Sequence, residues 1–155
     1  MNAGEGRRRL ENVRKTYNEY VCAAERENDY RKRISYSAAH CFSDVPKGEH
    51  SGNSREDKMI RLLTYSEETA AAKLRADNAR ADAEQLISCL DSETERNVLT
   101  LRYLGFRKWE DINGILCYDR SWIFRLHNRA LGHIADMTDD LHKKSRNRRH
   151  SNKSA

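Results

Sequence analysis

The 155-residue chain carries 29 Lys+Arg and 24 Asp+Glu for a formal net charge of +5, is 34% charged and 37% hydrophobic, and contains a single proline, Pro46. That length allows one modest domain plus an extension and excludes two large independent cores. The balance fits long solvated helices better than a large globular interior.

No run approaches the ~18 apolar residues that a membrane span needs, and the arginines near Met1 are followed by no apolar export region, so a cytoplasmic location is expected. Cys22, Cys41, Cys89 and Cys117 lie far apart without a C-x-x-C pair, which points to reduced, ordinary thiols rather than a disulfide framework or a zinc ribbon. Counted by segment, Lys+Arg stand against Asp+Glu as 9 to 6 in residues 1–35, 7 to 10 in 36–91, 7 to 8 in 92–142 and 6 to 0 in 143–155. The positive excess therefore sits at the two ends, as nucleic-acid binders often concentrate it.

From Arg7 to about Ile34, Leu10, Val13, Tyr17, Tyr20, Val21 and Ala24 recur at spacings of three and four, which predicts one long amphipathic helix within residues 1–35. The stripe weakens at Glu27 and Arg31, so a sustained coiled coil is not secured, and a helical hairpin or dimer is expected. Residues 36–54 gather Asp44, Pro46, Gly48, Gly52 and Asn53 and read as a flexible loop. His40, Cys41 and His50 fall there, but their spacing matches no structural zinc site, and no metal is expected.

Ser54 with Asp57 marks a helix start. Met59, Leu62, Leu63, Ala70, Leu74, Ala83, Leu86, Ile87 and Leu90 then carry a helical pattern through residues 55–91. The Ala-rich middle has high helix propensity and a thin apolar stripe, so this second long helix needs a partner.

Residues 92–142 read as three further helices. Ser92 and Glu95 form a Ser-x-x-Glu capping box ahead of Val98, Leu99, Leu101, Tyr103 and Leu104, and Gly105 supplies a left-handed stop. Trp109, Ile112, Ile115 and Leu116 mark a short second helix, in which Trp109 is assigned to packing and Glu110 and Asp111 occupy the first turn. Asp119 caps a third, whose stripe Ile123, Leu126, Ala130, Leu131 and Ile134 is buried.

The opposite face of that third helix offers Arg120, Ser121, Phe124, Arg125, Asn128 and Arg129, a set containing side chains that pair with base edges or phosphates. Lys108 adds a cation ahead of the second helix, and Trp122 is assigned to neither role. His127 and His133 lie on different faces, and no nucleophile with an orienting acid is in register, so no catalysis is expected. Residues 143–155 are expected to form a disordered basic tail that adds phosphate contacts or solubility. The fold class expected is thus all-α, with a long N-terminal helical hairpin or coiled coil followed by a three-helix helix-turn-helix domain.

The stretch ERNVLTLRYLGFRKWEDINGILCYDRSWIFRLHNRALGHI resembles region 4 of the sigma-70 class, the part of bacterial sigma factors that binds an upstream promoter element. The likeness covers about residues 92–134. The whole layout is similar to small sigma-like regulators encoded by phages and prophages of Gram-positive bacteria, including the ArpU type. The resemblance implies transcription control by sequence-specific binding of double-stranded DNA. It places Arg120, Ser121, Phe124 and Arg125 at base-facing positions and Arg129 against phosphate. The N-terminal helices would supply dimerisation or a contact to RNA polymerase, and no cofactor is implied.

Ser121 and Phe124 depart from the usual sigma residues, Asn113 stands where such motifs carry a small Ala, and Cys117 stands where the turn usually has a Gly with positive φ. Nothing in residues 1–91 resembles the promoter-melting part of a sigma factor, so an accessory regulator is expected rather than an autonomous one. The near-neutral charge of residues 92–142 motivates the alternative of a helical scaffold that docks on RNA polymerase or another protein. A phage packaging protein using the same motif is a third reading.

Overall fold

The structure, a computed structural model, describes the backbone of residues 4–39 and 55–151 and the side chains of residues 4–36 and 55–137. All regular structure among these residues is helical: α1 (Gly4–Ala39), α2 (Arg55–Ser88), α3 (Glu93–Leu99), a π-helical turn (Thr100–Leu104), α4 (Trp109–Leu116) and α5 (Arg120–Ser151). Among the described residues no helix is long and apolar enough to cross a membrane. The possible helix cap at Ser54 and the trio His40, Cys41 and His50 lie outside the described residues.

Several boundaries differ from the sequence expectation. Helix α1 continues through Ser35 to Ala39, into the segment read as loop, and the Ser35 hydroxyl donates to the Arg31 carbonyl at 3.0 Å. Helix α5 runs on to Ser151, so most of the expected basic tail is helical backbone, with residues 152–155 outside the description. Low hydrophobicity removes a packing stripe but does not lower the helix propensity of Lys and Arg, which is high.

The chain divides into two compact units, one of Met1–Lys15 with Asn78–Ala155 and one of Thr16–Asp77. In the second unit, Tyr30 meets Tyr65 edge-on with ring centroids 5.2 Å apart, and Arg26 reaches Glu68 at 3.4 Å. Thr16, Ala72 and Ala76 are buried, whereas Tyr17, Met59, Ile60, Leu63 and Leu74 are exposed. This corrects the expected stripe over the part of α2 in this unit: its buried residues there are the small Ala72 and Ala76, which let a neighbouring backbone come close, while Met59, Leu63 and Leu74 face outward. Further along, Ala83 and Ile87 are buried as expected.

The first unit holds two packed clusters. One joins Leu10 and Val13 of α1 to Ala83, Ile87, Leu90, Leu99, Ala130 and Ile134, with Leu86, Tyr103, Leu104, Phe106 and Leu131 against it. The other joins Val98 of α3, Ile112 of α4, and Ile123 and Leu126 of α5, with Leu101, Trp109 and Leu116 around it. The α5 stripe read from the sequence is thus the packed one. Gly6 lies so close to Ile134 that a Cβ at that position would overlap the Ile134 side chain.

The end of α3 departs from the expected left-handed glycine stop. Gly105 has φ −89°, and the positive φ of 52° belongs to Phe106. The helix widens into a π turn, with the Gly105 N–H donating to Thr100 O at 2.9 Å and the Arg107 N–H to Leu101 O at 3.0 Å. A Cβ on Gly105 would sit 3.0 Å from Leu101 O, so glycine serves close approach here rather than backbone handedness.

Leu99 is fully buried and belongs to the larger cluster. Truncation to Ala should therefore lower unfolding free energy by about 2–5 kcal/mol, read from urea midpoints. A loss under about 0.5 kcal/mol, the range of surface substitutions, would contradict the packing described.

Candidate nucleic-acid interface

The segment around α4 and α5 is built by local chemistry that leaves one face of α5 in solvent. Helix α4 starts after Lys108, whose backbone N–H donates to the Asp111 carboxylate at 3.3 Å, and it ends at Cys117 with φ 55° and ψ 34°. The left-handed turn expected of a glycine is therefore made by cysteine, a conformation that costs a Cβ-bearing residue of order 1 kcal/mol or more. Asp119 accepts hydrogen bonds from the Ser121 N–H at 3.1 Å and from the Ser121 hydroxyl. These bonds, the hydroxyl first, hold the Asp119 carboxyl below its ordinary value, and α5 begins at Arg120 with its expected cap in place.

The expected capping box at α3 is not formed. Ser92 is the N-cap residue by position, but its side chain makes no capping bond. Glu95 instead turns inward, where its side chain is only 1% exposed, and accepts from Arg129 Nε at 2.5 Å and from His133 Nδ1 at 2.9 Å. Burial pushes this carboxyl up, but the hydrogen bonds from Arg129 and His133 outweigh it and hold Glu95 below its ordinary value. Sequence reading missed this clamp because its partners lie 34 and 38 residues away, beyond any local periodicity.

The candidate residues separate into two environments. Arg120, Ser121, Arg125 and Asn128 are exposed on α5, and Lys108 is exposed ahead of α4. Phe124 is half-buried, tilted against Trp109 with centroids 4.7 Å apart. Arg129, expected at phosphate, has its guanidinium on Glu95 while 53% of its side chain remains exposed. Arg120 lies over the Phe124 ring at 5.7 Å and Arg125 over the Trp122 ring at 5.6 Å. Trp122 itself is 42% exposed, and with Ile115 and Tyr118 it forms apolar surface around the α4 to α5 turn.

Trp109 packs as expected but is half-buried, edge-on to His127 at 5.1 Å and beneath Arg102 at 4.5 Å. His127 is 7% exposed and shares a hydrogen bond of 3.0 Å between Nε2 and the Tyr103 hydroxyl. Burial lowers the His127 pKa from the ordinary 6.5, since desolvation disfavours the imidazolium. Asn113 leaves its Oδ1 buried without a hydrogen-bond partner among the described residues. Those residues also contain no group of three or more His, Cys, Asp or Glu arranged to hold a metal ion.

Comparison with protein-family models, with curated proteins and with solved structures finds no match for this chain.

Two measurements check this geometry. Asn113→Ala should raise stability by up to about 1–3 kcal/mol, because an orphaned buried acceptor is removed, and a loss would contradict the burial. Arg129→Ala should lower stability at neutral pH by about 1–3 kcal/mol, discounted for the exposed guanidinium.

In the parent chain Glu95 and His127 both have folded pKa values below their unfolded ones, so both give stability that is present at neutral pH and lost on acidification. The His127 part fades as pH falls below 6.5 and the Glu95 part below 4.5, through ranges that end at the folded values. Urea midpoints should therefore fall in both windows, and the lower one should shrink in Arg129→Ala.

Proposed function

We propose that α3, α4 and α5 form a helix-turn-helix that binds double-stranded DNA in a sequence-specific way, with α5 in the major groove. The observation that carries this reading is the composition and exposure of the start of α5. From Arg120 to Ala135 the helix has no acidic residue, and Arg120, Ser121, Arg125 and Asn128 are exposed. The opposite side of the same turns, Ile123, Leu126 and Ala130, is buried.

A groove-reading helix needs this division, since one side must lock to a supporting helix while the other meets base edges and phosphates. Arg125 and Asn128 then serve base readout, Arg120 and Lys108 serve phosphate, and Ser121 serves chiefly as a cap partner. Phe124 sets the packing of α5 on Trp109. Arg129 orients α5 through Glu95 and contributes to phosphate through its exposed edge.

With the resemblance to sigma region 4, the role that fits is an accessory transcription regulator of phage or prophage type. The long α1 and α2 helices would act as a helical hairpin for dimerisation or for a contact to RNA polymerase. The exposed trio Ile115, Tyr118 and Trp122 favours a second reading, in which this end of the molecule docks on a protein partner.

The two readings separate by salt. Under the DNA reading, affinity for a mixed-sequence duplex, followed by fluorescence anisotropy, falls steeply as salt rises from about 50 to 200 mM. Arg120→Ala should reduce the slope of log affinity against log salt by about one, and Ile115→Asp should leave it unchanged. Absence of duplex binding at low salt, or binding insensitive to salt, would contradict the DNA reading and leave the docking reading in place.

A further inference from the structure

We infer that the cleft bounded by the start of α1, the π turn and the flank of α5 binds a small anionic molecule carrying a planar ring, of the nucleoside monophosphate class. This open cleft lies within the first compact unit and has a volume of about 470 Å³, inside the range of about 300–1,000 Å³ typical of small-molecule sites. A free nucleotide fits a space of that size, whereas a duplex does not enter it.

Its charge selects an anion. Arg7, Arg14 and Arg102 line it against a single carboxylate, Glu11, which is taken by Arg7 at 2.7 Å. A guanidinium carries five N–H donors in a fixed fork suited to phosphate or carboxylate oxygens. Arg102 gives one of them to the Arg107 carbonyl at 3.0 Å. Arg102 lies over the Trp109 ring at 4.5 Å and Arg14 over the Phe106 ring at 5.7 Å, contacts that favour both guanidinium groups staying at the cleft wall.

The walls select a ring. Phe106, Trp109 and Phe124 line the same cleft as the arginines, with Arg102 over Trp109 and Arg14 over Phe106, so a planar ligand ring meets guanidinium planes and ring edges. His127 and Tyr103, joined by their hydrogen bond, add polar atoms that suit the edge of a base.

The backbone here is also unusual. Arg102 and Tyr103 sit on a π-helical turn, and Phe106 holds a positive φ, two features that concentrate at functional sites because the surrounding packing must sustain them. The cleft shares Asn128 with the face proposed to read DNA, but none of its three arginines is assigned to DNA, so the inference rests on a different set of charges.

The test uses the full chain with Trp122→Phe, which leaves Trp109 as the only tryptophan of the two in the sequence. Titration with AMP, GMP, CMP and UMP should change Trp109 emission saturably for at least one of them. Arg14→Gln with Arg102→Gln should weaken that binding about tenfold or more in protein that remains folded by circular dichroism. If the double variant does not fold, Arg14→Gln alone, an exposed position, should weaken it about threefold or more. No saturable response to any monophosphate, or equal affinity in a folded variant, would overturn the proposal. So would equal affinity for inorganic phosphate or for the uncharged nucleoside. A short single-stranded oligonucleotide that binds much more tightly than its monophosphate would overturn the free ligand in favour of a strand.

Discussion

A buried carboxylate fixes where α5 stands. Glu95 is nearly inaccessible and ties α3 to α5 through Arg129 and His133, one turn apart on the same helix. Removing a charge from water is costly, and the geometry is sustained only because two donors reach the carboxylate together. Apolar contacts among Val98, Ile112, Ile123 and Leu126 close the other side, but such contacts are tolerant of rotation. The directional bonds at Glu95 select one rotational setting of α5, and therefore which of its residues face solvent.

From that setting the rest follows. With Ile123, Leu126, Ala130 and Ile134 inward, Ser121, Arg125 and Asn128 must lie outward, because residues three and four apart share a face. The Asp119 cap defines where this face begins, and the left-handed Cys117 makes the change of direction between α4 and α5 within three residues. Phe124, on the flank, joins Trp109 and His127 in an aromatic wall. One side of α5 is thus left to solvent, while its flank, from Phe124 to Asn128, borders the cationic cleft.

The parts of this arrangement legible in the sequence were those set by local chemistry: the all-helical class, the Asp119 cap, the packing role of Trp109 and the buried stripe of α5. Legibility failed where distant packing decided the outcome. Glu95 satisfies the local pattern of a capping box, yet an ion pair with residues more than thirty positions away draws it inward. Gly105 satisfies the pattern of a left-handed stop, yet the π turn moves the positive φ to Phe106. In α2 the size of Met59, Leu63 and Leu74 pointed to a buried stripe, whereas the residues buried along that stretch are Ala72 and Ala76. The cleft had no sequence signature, because its arginines come from segments nearly a hundred residues apart.

Selection of bound sequences from a pool of random duplexes tests the central claim most directly, namely that the outer face of α5 reads DNA. The account predicts enrichment of a defined short motif, or two copies at fixed spacing if the chain dimerises, with preference at one base pair lost when the selection is repeated with Arg125→Ala. A pool left unenriched, or a motif identical for Arg125→Ala and the parent chain, would contradict it.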